Sequence, residues 1–104
     1  MIKAIFYKCK NSYVGFEISG HSGYAKRGKD IICASVSALT LHTTRILSEE
    51  LDKVETLKQD DDGWLSVRLK KNDDITNMLI KRLIQTLREI QGEYSGYLLV
   101  EVKE

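Results

Sequence analysis

Between Gly20 and Thr40 the chain reads GHSGYAKRGKDIICASVSALT, and the side chains able to do chemistry crowd into it: His21 and Cys33, with Gly20, Gly23 and Gly28 in or beside the loop that separates them. A thiol becomes a nucleophile when a base takes its proton, and imidazole suits that role near neutral pH. Glycines let a loop fold back, so imidazole and thiol can meet across it. The pattern offers a Cys–His dyad, with Cys33 as nucleophile and His21 as general base and then general acid.

Such a dyad needs elements to hold it. Ahead of Gly20, YVGFEIS alternates Val14, Phe16 and Ile18 with Tyr13, Gly15 and Glu17, the period of a strand with one face in a core, and this strand delivers His21 at its end. Beyond the loop, Ile32, Val36, Leu39, Ile46 and Leu47 recur at helical spacing to about Leu51, which places a helix from Ile31 onward with Asp30 as its N-cap. Cys33 then sits in the first turn, where unpaired backbone N–H groups and the positive end of the helix dipole favour an anion, whether a thiolate or the oxyanion of a tetrahedral intermediate. Asp30 has a capping role in any case, and orienting His21 or gating the loop would be a second one. Ser37, one turn after Cys33, either donates a hydrogen bond into the site or fills a seam of small residues.

The remainder reads as scaffold. IKAIFYK and the turn Lys10-Asn11-Ser12 make a hairpin with YVGFEIS, and KVETLKQ, Asp60-Asp61-Asp62-Gly63 and WLSVRLK make a second, with Leu65, Val67 and Leu69 buried; its acidic run is a turn, not a metal site. After the cap candidates Asn72, Asp73 and Asp74, a second helix carries Ile75, Met78, Leu79, Leu83, Leu87 and Ile90 on its apolar stripe and stops at Gly92, and YLLVEV closes the chain as a strand. The order ββαββαβ predicts an α+β fold, with a mixed or mainly antiparallel sheet and both helices on one face. A length of 104 residues, 42% of them hydrophobic, predicts one domain over 1–104.

A net charge of +1 gives no bulk electrostatic pull towards nucleic acid or membrane. MIKAIFYKCK has no apolar core of signal-peptide length, and no unbroken apolar run approaches the roughly 20 residues of a membrane span, so a soluble, cytoplasmic protein is expected. Cys9 and Cys33 are then expected as free thiols, Cys9 inert in its strand, with no cofactor and no metal. His42 reads as a surface or core histidine.

Strand, Gly-His, a glycine-bearing loop and then Gly-Lys-Asp-Ile-Ile-Cys-Ala opening a helix resembles the bacterial ribosomal-processing cysteine protease family, and the likeness extends over the whole length and element order. The resemblance implies a catalytic dyad of His21 and Cys33, a supporting serine at Ser37, and a homodimer. It also implies removal of a short N-terminal extension from a large-subunit ribosomal protein precursor, by a cut between an aromatic and a small residue. Lys26 and Arg27 make this loop more basic than usual in that family, and Ser22 stands where alanine is common.

Two readings from other classes remain open at this level. Gly20-His21-Ser22-Gly23 is a G-x-x-G with Lys26, Arg27 and Lys29 behind it, the elements of an RNA-clamping loop in a ribosome-associated module without catalysis, although such loops join two helices rather than leave a strand. Cys9, His21, Cys33 and His42 are the ligand types of a structural zinc site, without a closely spaced pair among them.

Overall fold

A computed structural model describes residues 1–71 and 73–104. Strands β1 (Ile2–Cys9) and β2 (Ser12–Ser19) form the first hairpin and are followed by helix α1 (Ile31–Arg45), which runs into a π-helical turn, Ile46–Glu50. Strands β3 (Val54–Gln59) and β4 (Leu65–Leu69), helix α2 (Asp74–Glu93) and strand β5 (Leu98–Lys103) complete the chain. The five strands form one sheet in the order β3-β4-β2-β1-β5. It is mixed, since β1 and β5 pair in parallel and the other neighbours are antiparallel. The expected α+β class and ββαββαβ order hold.

One face of the sheet is apolar along every strand but β3. Ile2, Ala4 and Phe6, then Phe16 and Ile18, Leu65, Val67 and Leu69, and Leu98 and Val100 join Ile32, Val36 and Leu47 of the first helical segment and Ile80, Leu83, Ile84 and Leu87 of α2 in a single cluster. Phe6 and Phe16 stack at its centre with ring centroids 5.5 Å apart. Both helices cover this face; the other carries Lys3, Tyr7, Glu17 and Arg68.

Three sequence expectations are displaced. Val14 is 43% exposed rather than core-facing, because Lys8 pairs with Tyr13 and Tyr7 with Gly15, leaving Val14 as the extra residue of a β-bulge that resets the alternation and turns Tyr13 inward. Ile75 and Met78 of α2 face solvent, since the line through Leu87, Leu83 and Ile80 runs back in steps of three and four to Thr76, one residue's rotation away from Ile75. Gly92 lies inside α2, and the left-handed turn after the helix falls to Gly96, φ +94. The cap of α2 is Asp73; Asn72, the other candidate ahead of it, lies outside the described residues. Taken together, α1 and its π-turn make a 20-residue segment containing an 18-residue window of mean hydropathy 1.3, so length and averaged composition do reach the range of a membrane span even without an unbroken apolar run. Ile32, Val36 and Leu47 of that segment are nevertheless buried in the core.

Candidate active site

At its end β2 leaves the sheet through Gly20. The φ of +86° there is a glycine conformation, and a Cβ at this position would lie 2.5 Å from the Met1 carbonyl oxygen, so both backbone shape and close approach demand glycine. His21 follows, exposed. The β2–β4 register, with Ile18 opposite Leu65, continues to place Gly20 beside Gly63 of the β3–β4 turn, and a Cβ on Gly63 would lie 3.9 Å from His21 Cε1. The acidic turn thereby forms one wall of the space around the imidazole.

Residues 22–29 arch from His21 to α1. Gly23 and Gly28 both have positive φ, +73° and +88°, with open space where a Cβ would stand, so their requirement is one of backbone conformation and not of packing. Tyr24 meets Tyr94 and Tyr97 edge to face, with centroids 5.7 and 5.2 Å away, which pins the arch to the connection between α2 and β5.

Asp30 ends the arch and caps α1 as expected. Its Oδ1 accepts the N–H groups of Ile32 and Cys33, each at 3.0 Å, while its Oδ2 accepts the Ser22 hydroxyl and, at 3.3 Å, the Ala25 N–H. The Ser22 bond above all, with the N–H groups of Cys33, Ala25 and Ile32, holds this carboxyl down at about 2 against the burial that pushes it up. The same bonds correct the expectation that unpaired first-turn amides await an oxyanion: two of them are engaged by the cap itself, and Ala34 N–H bonds the Asp30 carbonyl at 3.1 Å. Among the described residues, Ile31 N–H is the first-turn amide left without an acceptor.

Cys33 is half-buried on the first turn of α1, and its Sγ donates to Ser22 Oγ at 3.7 Å. His21 and Cys33 line one cleft of about 660 Å³, a volume suited to a few residues of a peptide, but no hydrogen bond joins them. Ile2, Ile18, Ile31 and Val36 supply apolar lining. Arg27 and Lys29 supply positive charge from the arch, and Asp61 and Asp62 negative charge from the β3–β4 turn opposite. Ser37 also lines the cleft, one turn beyond Cys33 and exposed.

By sequence Ser22 reads only as a residue of the loop and Asp61–Gly63 only as a turn, and neither reads as part of the site. Nothing local marks these roles: the wall depends on a strand pairing across more than forty residues, and Ser22 meets Asp30 and Cys33 only when the arch closes on α1. The four candidate ligands of the alternative zinc reading are dispersed. Gly20–Gly23 leaves a strand, as the sequence indicated. Cys9 is exposed at the hairpin end of β1, opposite the end of β2 that bears His21, and His42 is exposed in the last turn of α1. Among the described residues no group of three or more His, Cys, Asp or Glu is placed to hold a metal ion.

Comparison with known proteins follows the same line. The sequence model of the family described as Cysteine protease Prp matches residues 1–99. Among solved structures, the Staphylococcus aureus ribosomal processing protease Prp with a covalently linked product peptide superposes with a TM-score of 0.91 at 21% identity, covering 99% of this chain and all of that one. The same S. aureus protease with a substrate peptide gives 0.84 at 20% identity, covering 99% and 100%. SMU.848 from Streptococcus mutans gives 0.81 at 23%, covering 99% and 94%. No curated protein matches the chain by sequence.

Proposed function

The chain belongs to the Prp family of cysteine proteases, and from that premise we propose that Cys33 is its nucleophile and His21 its general base and acid. The observation that carries this assignment is their convergence from two elements, the end of β2 and the first turn of α1, onto one peptide-sized cleft. His21 takes the thiol proton, Cys33 Sγ bonds the peptide carbonyl carbon, and the protonated imidazole returns the proton to the leaving amine as the C–N bond breaks. Water then attacks the thioester, giving its proton to His21, and the thiolate leaves and is reprotonated. Ile31 N–H is the helix-start donor open to the developing oxyanion. Asp30 and Ser37 support the site, the one as cap and the other as a cleft-wall hydroxyl.

The substrate we propose is a precursor of a large-subunit ribosomal protein carrying an N-terminal extension, cut between an aromatic and a small residue, by a homodimer acting in the cytoplasm without nucleic acid. The family resemblance supports this, together with the S. aureus ribosomal processing protease, which shares the fold and is solved in complex with a substrate peptide and with a covalently linked product peptide. Incubation with such a precursor, followed by mass spectrometry, is expected to release the extension. Cys33→Ala and His21→Ala are each expected to lower the rate by about a thousandfold or more while leaving the fold intact. Near-normal cleavage by either variant overturns the dyad, and an uncut precursor beside cleavage of an unrelated peptide overturns the substrate assignment.

A further inference from the structure

Ser22 is 4% exposed, at the root of the arch and next to His21 in the chain. Its oxygen meets three partners: Asp30 Oδ2, the Tyr24 N–H at 3.1 Å and Cys33 Sγ at 3.7 Å. A hydroxyl has one proton and two lone pairs, a carboxylate only accepts, and an amide N–H only donates. The Ser22 proton is therefore committed to Asp30, one lone pair to Tyr24, and the remaining lone pair to Cys33. With those three assignments made, the sulfur in this contact must be the donor.

We propose that Ser22 is a positioning residue that keeps Cys33 in its protonated form, through a relay from Cys33 S–H to Ser22 and from Ser22 O–H to Asp30, until the arch is rearranged. The inference deepens the assignment of Cys33 and His21 and rests on it for its catalytic meaning. A thiolate here would face an oxygen lone pair with a carboxylate behind it, a repulsive arrangement. The other titratable or charged groups facing the cleft are His21 just beyond β2, Arg27 and Lys29 from the arch, and Asp61 and Asp62 from the β3–β4 turn; Asp30 is the one bonded to Ser22. Because Ser22 and His21 are consecutive, a shift that withdraws the hydroxyl also moves the imidazole, so release of the thiol and assembly of the dyad are one event. A substrate that draws Tyr24 from Tyr94 and Tyr97 would trigger it.

The test uses a Cys9→Ser background, in which Cys33 is the only thiol. The S–H stretching band of Cys33 in the Raman spectrum is expected below that of a free thiol, the mark of a donor, and Ser22→Ala is expected to raise it. Alkylation by iodoacetamide at neutral pH is expected to be about threefold or more faster in Ser22→Ala, while Ser22→Thr, which retains the hydroxyl, restores the parent rate. A free-thiol band in the parent, or equal alkylation rates for folded Ser22→Ala and the parent, overturns the relay. If Ser22→Ala does not fold, the parent band decides. Cleavage by Cys33→Ala would instead overturn the dyad assignment and leave these thiol measurements standing.

Discussion

Each of the two helices follows a hairpin and begins with an aspartate cap, yet the two caps differ in what they hold. Asp73 of α2 is exposed; it accepts the Thr76 N–H at 2.9 Å and faces Lys53 Nζ at 3.7 Å. Asp30 of α1 is buried and accepts four donors, two of them outside the helix. One helix amide suffices to start α2, so the additional bonds of Asp30 serve something other than helix initiation. They tie the arch and Ser22 to the turn that bears Cys33.

The largest effect expected from this difference is on activity. Asp30→Ala should lower kcat/KM by about a hundredfold, since the position of Cys33 and the closure of the arch both depend on it, whereas Asp73→Ala should stay within about twofold. Equal losses in the two variants, measured on the same precursor peptide, would reduce both residues to ordinary caps. A smaller effect is expected in the arch itself: Gly28→Val, which forces a β-branched residue to positive φ, should lower kcat about tenfold with a lesser change in Tm. A steep fall in Tm with normal turnover of the folded fraction would make the glycine architectural. The smallest effect is in acid stability. Asp30 lies at about 2 when folded against an ordinary value of 3.8, so its contribution is complete above the ordinary value and is lost as pH falls through the folded one. Asp30→Asn should therefore flatten the pH dependence of stability between those values, followed by denaturant titration, and Asp73→Asn should flatten it in the same direction but less.

The capping aspartates also mark what a sequence discloses. Asp30 and the helix start at Ile31 were legible because N-caps are local: an acceptor, then an apolar repeat. The second hairpin was legible for the same reason, since Leu65, Val67 and Leu69 keep strict alternation. The Val14 bulge was not, because one inserted residue is visible only in the pairing with β1. The outward turn of Ile75 and Met78 was not either, as two overlapping helical stripes fit the first turns of α2 and the sheet chooses between them. At the site, sequence named His21 and Cys33, but it could not show that the first-turn amides are already taken by the cap or that the thiol faces Ser22. Both follow from how an eight-residue arch closes, which no periodicity encodes.

The pairing of β5 with β1 has a consequence for how the molecule comes into being. Ile2, which lines the cleft, lies opposite Leu98 and donates its N–H to the Tyr97 carbonyl at 2.9 Å, and Tyr97 is one of the rings that hold Tyr24. Contacts between residues so far apart in the chain form late, since most of the loop entropy must be lost before they are made. During synthesis Ile2 emerges long before Leu98 is made and waits for it. The cleft wall at Ile2 is therefore in place only once β5 docks on β1, and a chain still lacking that strand carries His21 and Cys33 beside an unfinished cleft.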